Sequence, residues 1–201
     1  VCCKQVCICL LNVSQTLHEM NSTLLFIITG GPGAGKTTLL NALRARGFVC
    51  MEEVARDIIR QQIKKGGDAL PWANVTAYTE RMLQATIELY NDAMKRYEGQ
   101  PVFFDRGLPD TLAYMRLTGQ TMSPAIHAAA EEYRYHSRVF LLPPWQEIYT
   151  TDDERKQSWD EAVKTARIIR DTYRHFGYDP VDVPRCSVAD RVKFVLAGAG
   201  L

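Results

Sequence analysis

No apolar run in this 201-residue chain approaches the roughly 20 residues needed to cross a bilayer as a helix. A charge imbalance is missing as well. Lys and Arg number 24 against 23 Asp and Glu, and a net +1 creates no general field for nucleic acid or an anionic membrane. Histidine is scarce: His18, His127, His136 and His175 lack metal-ligand spacing. Of the six cysteines, Cys2, Cys3, Cys7 and Cys9 crowd one end, while Cys50 and Cys186 stand alone. That pattern is no disulfide framework, and a reducing cytoplasm suits it. A metal clip and a lipidated anchor are the functional readings of the four clustered cysteines, but no histidine or further cysteine pair completes a ligand set, so residues 1–22 are expected to be a leader outside the core. Residues 23–201 are then expected to form one domain, without internal repeats or low-complexity tracts. What remains, 46% apolar and 23% charged, is ordinary globular composition.

The informative positive feature is Gly30-Gly31-Pro32-Gly33-Ala34-Gly35-Lys36-Thr37, which fits G-x-x-x-x-G-K-[ST]. Glycines allow a tight turn whose N–H groups point at phosphate oxygens. The next helix would add unpaired N–H donors and the positive end of its dipole, with Thr38 in its first turn. Lys36 has the reach and charge for terminal phosphates, and the Thr37 hydroxyl suits Mg²⁺. An apolar, β-prone Leu24–Thr29 precedes the loop, and a helix-compatible Thr38–Leu43 follows it. Strand, loop and helix in that order imply a nucleoside triphosphate.

Further strands are expected at Phe48–Met51, Pro101–Phe104, Arg138–Leu142 and Val181–Val183. Helical patterns separate them. Val54–Lys65 sets Val54, Ile58, Ile59 and Ile63 on one face. Asn74 can cap a helix to about Glu98, with Tyr78, Met82, Ala85, Leu89 and Ala93 as its stripe. Pro109 and Ser123-Pro124 mark helix starts. A helix from about Asp152 to His175 would turn Trp159, Val163, Ala166, Ile169 and Tyr173 inward, and Val188–Leu196 closes the chain. Alternation of this kind predicts an α/β domain with a parallel sheet covered on both faces. Trp72, in the loop after the second helix, reads as a packing residue in preference to a stacking one.

Ligands of open parallel sheets bind at the carboxyl ends of strands. The third strand ends in Asp105-Arg106-Gly107. Asp105 could hold Mg²⁺ directly or through water, or accept a proton from an acceptor hydroxyl, and Arg106 could clamp a phosphate or the acceptor. A mutual Asp105–Arg106 ion pair is the structural alternative. The second strand leads into Glu53 and Arg56, three apart at a helix start and able to face the same cleft. After the fourth strand, residues 145–156 could form a lid delivering Arg155 to the transferring phosphate. Against that, Thr151 and Glu154 read as a capping box that leaves Arg155 solvated.

The phosphate loop, Glu53-Val54-Ala55-Arg56, Phe103–Gly107 and Leu141-Leu142-Pro143-Pro144-Trp145 with Arg155 resemble the nicotinamide-riboside-kinase-like (NadR-like) branch of the P-loop NTPases, grouped by sequence with AAA-type domains. The resemblance covers about residues 23–197. It implies a three-layer, nucleoside-kinase-like fold with a five-stranded parallel sheet in the order 2-3-1-4-5. It also implies ATP or GTP with Mg²⁺, and a small acceptor beneath the second and third strand ends. The expected activity is transfer of the γ-phosphoryl group to a nucleoside-like or phosphorylated small molecule. Lys36, Asp105, Arg106 and Arg155 would carry the chemistry, with Glu53, Arg56 and Arg106 orienting the acceptor. The competing expectation is a slow NTPase acting as a nucleotide-dependent switch or sensor with a protein or membrane partner. A guanine-nucleotide switch should carry Asn-Lys-x-Asp and, after the third strand, Asp-x-x-Gly; Asp105-Arg106-Gly107 is one residue short.

Overall fold

The computed structural model describes residues 24–149 and 158–201. Its strands are β1 (Leu25–Gly30), β2 (Val49–Met51), β3 (Val102–Asp105), β4 (Arg138–Leu142) and β5 (Asp179–Asp182). Helices α1 (Lys36–Arg44), α2 (Val54–Lys65), α3 (Val75–Arg96), α4 (Leu108–Leu117), α5 (Pro124–Glu132), α6 (Trp159–His175) and α7 (Val188–Ala199) alternate with them, and a 3₁₀ turn covers Gln146–Ile148. All pairings are parallel, in the order β2-β3-β1-β4-β5. The expected fold and strand order are both present.

Two-residue alternation divides the buried strands between two cores. Leu25, Ile27, Val102, Phe104, Val139 and Leu141 face one side, where Tyr90, Leu112, Ile169 and Tyr173 of α3, α4 and α6 pack on them. Phe26, Ile28, Phe103, Phe140 and Leu142 face the other, against Leu39, Leu40 and Leu43 of α1 and Val192 and Val195 of α7. Burial on both faces explains why these strands read as continuous apolar runs.

Helix faces depart from expectation at two positions. Ile63 is 61% exposed and Val163 is 43% exposed. In α2 the buried line is Ala55, Ile58 and Gln62, which turns Ile63 outward. In α6 the seam runs Ala162, Ala166, Ile169 and Tyr173, so small Ala162 takes the inner place expected for Val163. The start of α6 is also corrected. Ser158 is extended (φ −71°, ψ 164°) and forms a reciprocal capping box with Glu161, so the helix begins at Trp159. The suggested Thr151–Glu154 box lies outside the described residues. Trp72 is 67% exposed, so packing does not explain it. The strand expected at Val181–Val183 lies two residues earlier at its start, with buried Val183 just past its end.

Candidate active site

The phosphate loop joins β1 to α1 in the middle of the sheet. Gly30 has φ +146°, and a Cβ there would sit 2.5 Å from the Leu142 carbonyl oxygen of neighbouring β4. Only glycine lets the two strands stay paired at that point. The loop ends at Gly35 (φ +86°), which caps α1 without a side-chain hydrogen bond. The first N–H groups of α1 are thus left for an anion. Pro32 and Gly33 are half-buried, Gly31 and Ala34 are buried, and Thr37 and Thr38 are exposed. Lys36 is buried and folds back over the loop, its Nζ donating to the Gly30 and Gly31 carbonyls at 3.1 and 3.2 Å. Burial and the nearby Arg106 charge lower its pKa to about 8, despite the opposing pull of Asp105, Glu53 and Asp110.

Asp105 pairs in register with Ile28, two residues before the loop begins. Its Oδ1 is buried and has no hydrogen-bond partner. Desolvation raises its pKa, against the attraction of Lys36 and Arg106. The expected alternative of an Asp105–Arg106 ion pair is not what forms. Arg106 donates from Nε to Glu53 Oε1 at 2.8 Å and from Nη1 to Asp110 Oδ1 at 3.1 Å. Its backbone adopts φ +71°, unusual for a non-glycine residue, and this turn separates its direction from that of Asp105. Burial opposes the Arg106 charge, but Glu53, Asp110 and Asp105 outweigh it and hold the guanidinium protonated. Glu53, half-buried, is kept below the usual carboxylate range because Arg106, Lys36 and Arg56 together exceed its desolvation.

Asp110 is the residue that sequence reasoning missed. Its carboxylate accepts from Arg106, from the Gly107 N–H at 2.9 Å, from the Tyr173 hydroxyl at 2.5 Å and from the Thr29 hydroxyl. It thereby ties β1, α4 and α6 to the Arg106 guanidinium. Two signals could have found it: an acidic third residue after the Gly107 cap, and the i,i+4 spacing from Arg106. Lys36, Glu53, Asp105 and Arg106 of the expected set do converge. Arg56 is half-exposed, with Nε 3.9 Å from Glu53. Arg155 lies outside the described residues.

Between α2, α3 and the end of β3 runs a narrow cleft, with about 20 Å³ open to the centre of a water molecule. Glu53, Asp105, Arg106 and Asp110 supply its polar wall, and Val54, Ala55, Met82 and Leu89 its apolar one. Across the loop, the segment after β4 lies on the glycines: the Tyr149 ring would be 2.9 Å from a Cβ on Gly33.

A sequence profile for an AAA domain matches residues 25–191, from the first strand into α7. The chain belongs to this AAA-domain family. No curated protein matches it in sequence. Among solved structures it is similar to NadR in complex with NR, with a TM-score of 0.65 at 18% identity, covering 90% of this chain. The alignment spans only 52% of that NadR chain. Deoxyadenosine kinase from M. mycoides with bound dATP has a TM-score of 0.55 at 16% identity, over 88% of this chain and 100% of that one. Thymidylate kinase from Ehrlichia chaffeensis gives 0.53 at 13% identity, over 90% and 100%. These likenesses establish the P-loop kinase fold for this AAA-domain chain. Among its described residues no helix is long and apolar enough to cross a membrane.

Proposed function

We propose that this protein is a P-loop kinase that transfers the γ-phosphoryl group of ATP or GTP to a hydroxyl or phosphate of a small, nucleoside-like acceptor. The observation that carries the reading is Asp105. Its buried, unpartnered carboxylate oxygen lines the cleft and belongs to the same charged cluster as Lys36. A desolvated carboxylate with a raised pKa is a suitable proton acceptor for a hydroxyl nucleophile. The loop amides and Lys36 bind the phosphates. Lys36 exchanges its loop carbonyls for phosphate oxygens, and the added negative charge raises its pKa again. Glu53 and Arg106, locked together at 2.8 Å, orient the acceptor against the apolar wall of Met82 and Leu89. The cleft is tight, so acceptor entry requires α2 and α3 to move apart. Arg155 closes over the phosphates in this scheme.

The donor set suits Mg²⁺. Thr37 offers an exposed hydroxyl at the start of α1, and Asp105 an oxygen without a partner. Magnesium commonly uses one or two carboxylates together with substrate phosphates and waters, and it would neutralise charge on the phosphate chain. The decisive experiment is a panel of nucleosides and small phosphates scored for ADP or GDP release. One acceptor should raise release well above the no-acceptor background. Release that no acceptor changes would instead favour a slow NTPase switch.

A further inference from the structure

Arg191 lies in the first turn of α7, on the flank of the phosphate loop opposite the Arg106–Asp110 pair. It is 5% exposed. Its guanidinium carbon lies 5.4 Å from the centroid of the Trp145 ring. A Cβ on Gly35 would come within 2.9 Å of its Nη1, so the guanidinium rests directly against the last glycine of the loop. Nε has no hydrogen-bond partner. Among the described residues no carboxylate lies within ion-pair distance of it, whereas Arg106 has two. A guanidinium cannot shed its proton to escape desolvation, and an aromatic face compensates only part of the loss. The fold therefore holds a buried guanidinium with an unpartnered Nε and no carboxylate at ion-pair distance among the described residues, beside the loop.

We infer that Arg191 is a nucleotide-binding residue whose guanidinium, braced on Trp145, pairs with an anionic oxygen of the phosphate chain. The inference rests on the kinase reading, because the triphosphate is the anion which that reading brings to Gly35. Two cations then flank the loop: Lys36 from the Asp105 side and Arg191 from the α7 side. Gly35 needs to be glycine for two reasons, its positive φ and the space the guanidinium occupies. Trp145 couples the segment after β4 to the nucleotide through the same contact.

Calorimetric titration of ATP, ADP, AMP and adenosine, with Mg²⁺ present, tests this on the full chain, on R191Q and on R191K. R191Q should lose about tenfold or more in affinity for ATP and ADP, the scale of one charge-assisted hydrogen bond, and nothing for adenosine. R191K should recover part of the loss. The melting temperature of R191Q without nucleotide should equal or exceed that of the wild type, since an uncompensated cation has been removed. An equal loss for all four ligands overturns the inference, as does a fall in melting temperature that R191K fails to rescue. Wild-type binding that R191Q leaves unchanged overturns it alone. A wild type that binds none of the four, and neither GTP nor GDP, overturns the kinase reading with it.

Discussion

Replacing Asp105 by Asn separates chemistry from structure. Asn keeps the shape and removes the charge. If Asp105 were the anchor of a buried ion pair, its loss would cost about 3–5 kcal/mol. At 2–4 °C per kcal/mol for a chain of this size, that is a fall of roughly 6–20 °C in melting temperature. The geometry argues otherwise, because Arg106 is held by Glu53 and Asp110, while Asp105 Oδ1 has no partner to lose. The desolvation of the carboxylate is relieved, its attraction to Lys36 and Arg106 is lost, and the two effects oppose. Stability should therefore change by no more than about 1 kcal/mol. Phosphoryl transfer should fall about a hundredfold or more, some 2.7 kcal/mol in barrier, the usual scale for losing a general base. The pH dependence gives a second readout. A raised carboxyl pKa favours folding below the ordinary aspartate value, and that contribution is lost as pH rises through the raised value. Activity requires the ionised form, so the acid limb of kcat/KM should lie above about 3.9 and vanish in the variant. Turnover per folded molecule is to be measured beside thermal melting. A variant that melts many degrees lower yet turns over normally refutes the assignment.

Asp110→Ala should behave in the opposite way, losing about 3–5 kcal/mol in urea unfolding because Arg106 keeps only Glu53, and its Nη1, the Tyr173 hydroxyl and the Gly107 N–H lose their partner. A loss below 1 kcal/mol would mean that the cluster is not what holds Arg106. Lys36→Met should weaken Mg-ATP binding at least tenfold, about 1.4 kcal/mol, by calorimetry. Because the folded pKa of Lys36 is depressed to about 8, its contribution to stability is present at high pH and lost as pH falls through 8. The Met variant should accordingly melt no lower than wild type at pH 7, and a clear drop would contradict the buried-cation account. Gly30→Ala forces a Cβ to within 2.5 Å of the Leu142 carbonyl and should cost about 1–3 kcal/mol in stability; an unchanged melting curve would show that the β1–β4 contact yields easily.

The chain alone determined the phosphate loop, the order of strands and helices, and the convergence of Glu53, Asp105 and Arg106 at strand ends. Each has a local cause: glycine conformational freedom, apolar runs of strand length, and caps such as Asn74 and Ser123. Periodicity also found the inner stripe of α3 at Tyr78, Met82 and Ala93. It failed at Ile63 and Val163, because several apolar residues at neighbouring angles permit more than one rotation, and packing against the adjacent helix selects one. The charge partners were decided by tertiary structure. Adjacency in sequence suggests Asp105 with Arg106, yet the positive φ of Arg106 turns it toward Glu53, 53 residues away, and toward Asp110. Asp110 and Arg191 look like ordinary helix-start charges in the sequence. Their burial, and their contacts with Tyr173 and with Gly35, exist only once α4, α6 and α7 have packed on the sheet. Local propensity is written in neighbouring residues, while the pairing of a buried charge depends on which distant groups the fold brings within reach of it.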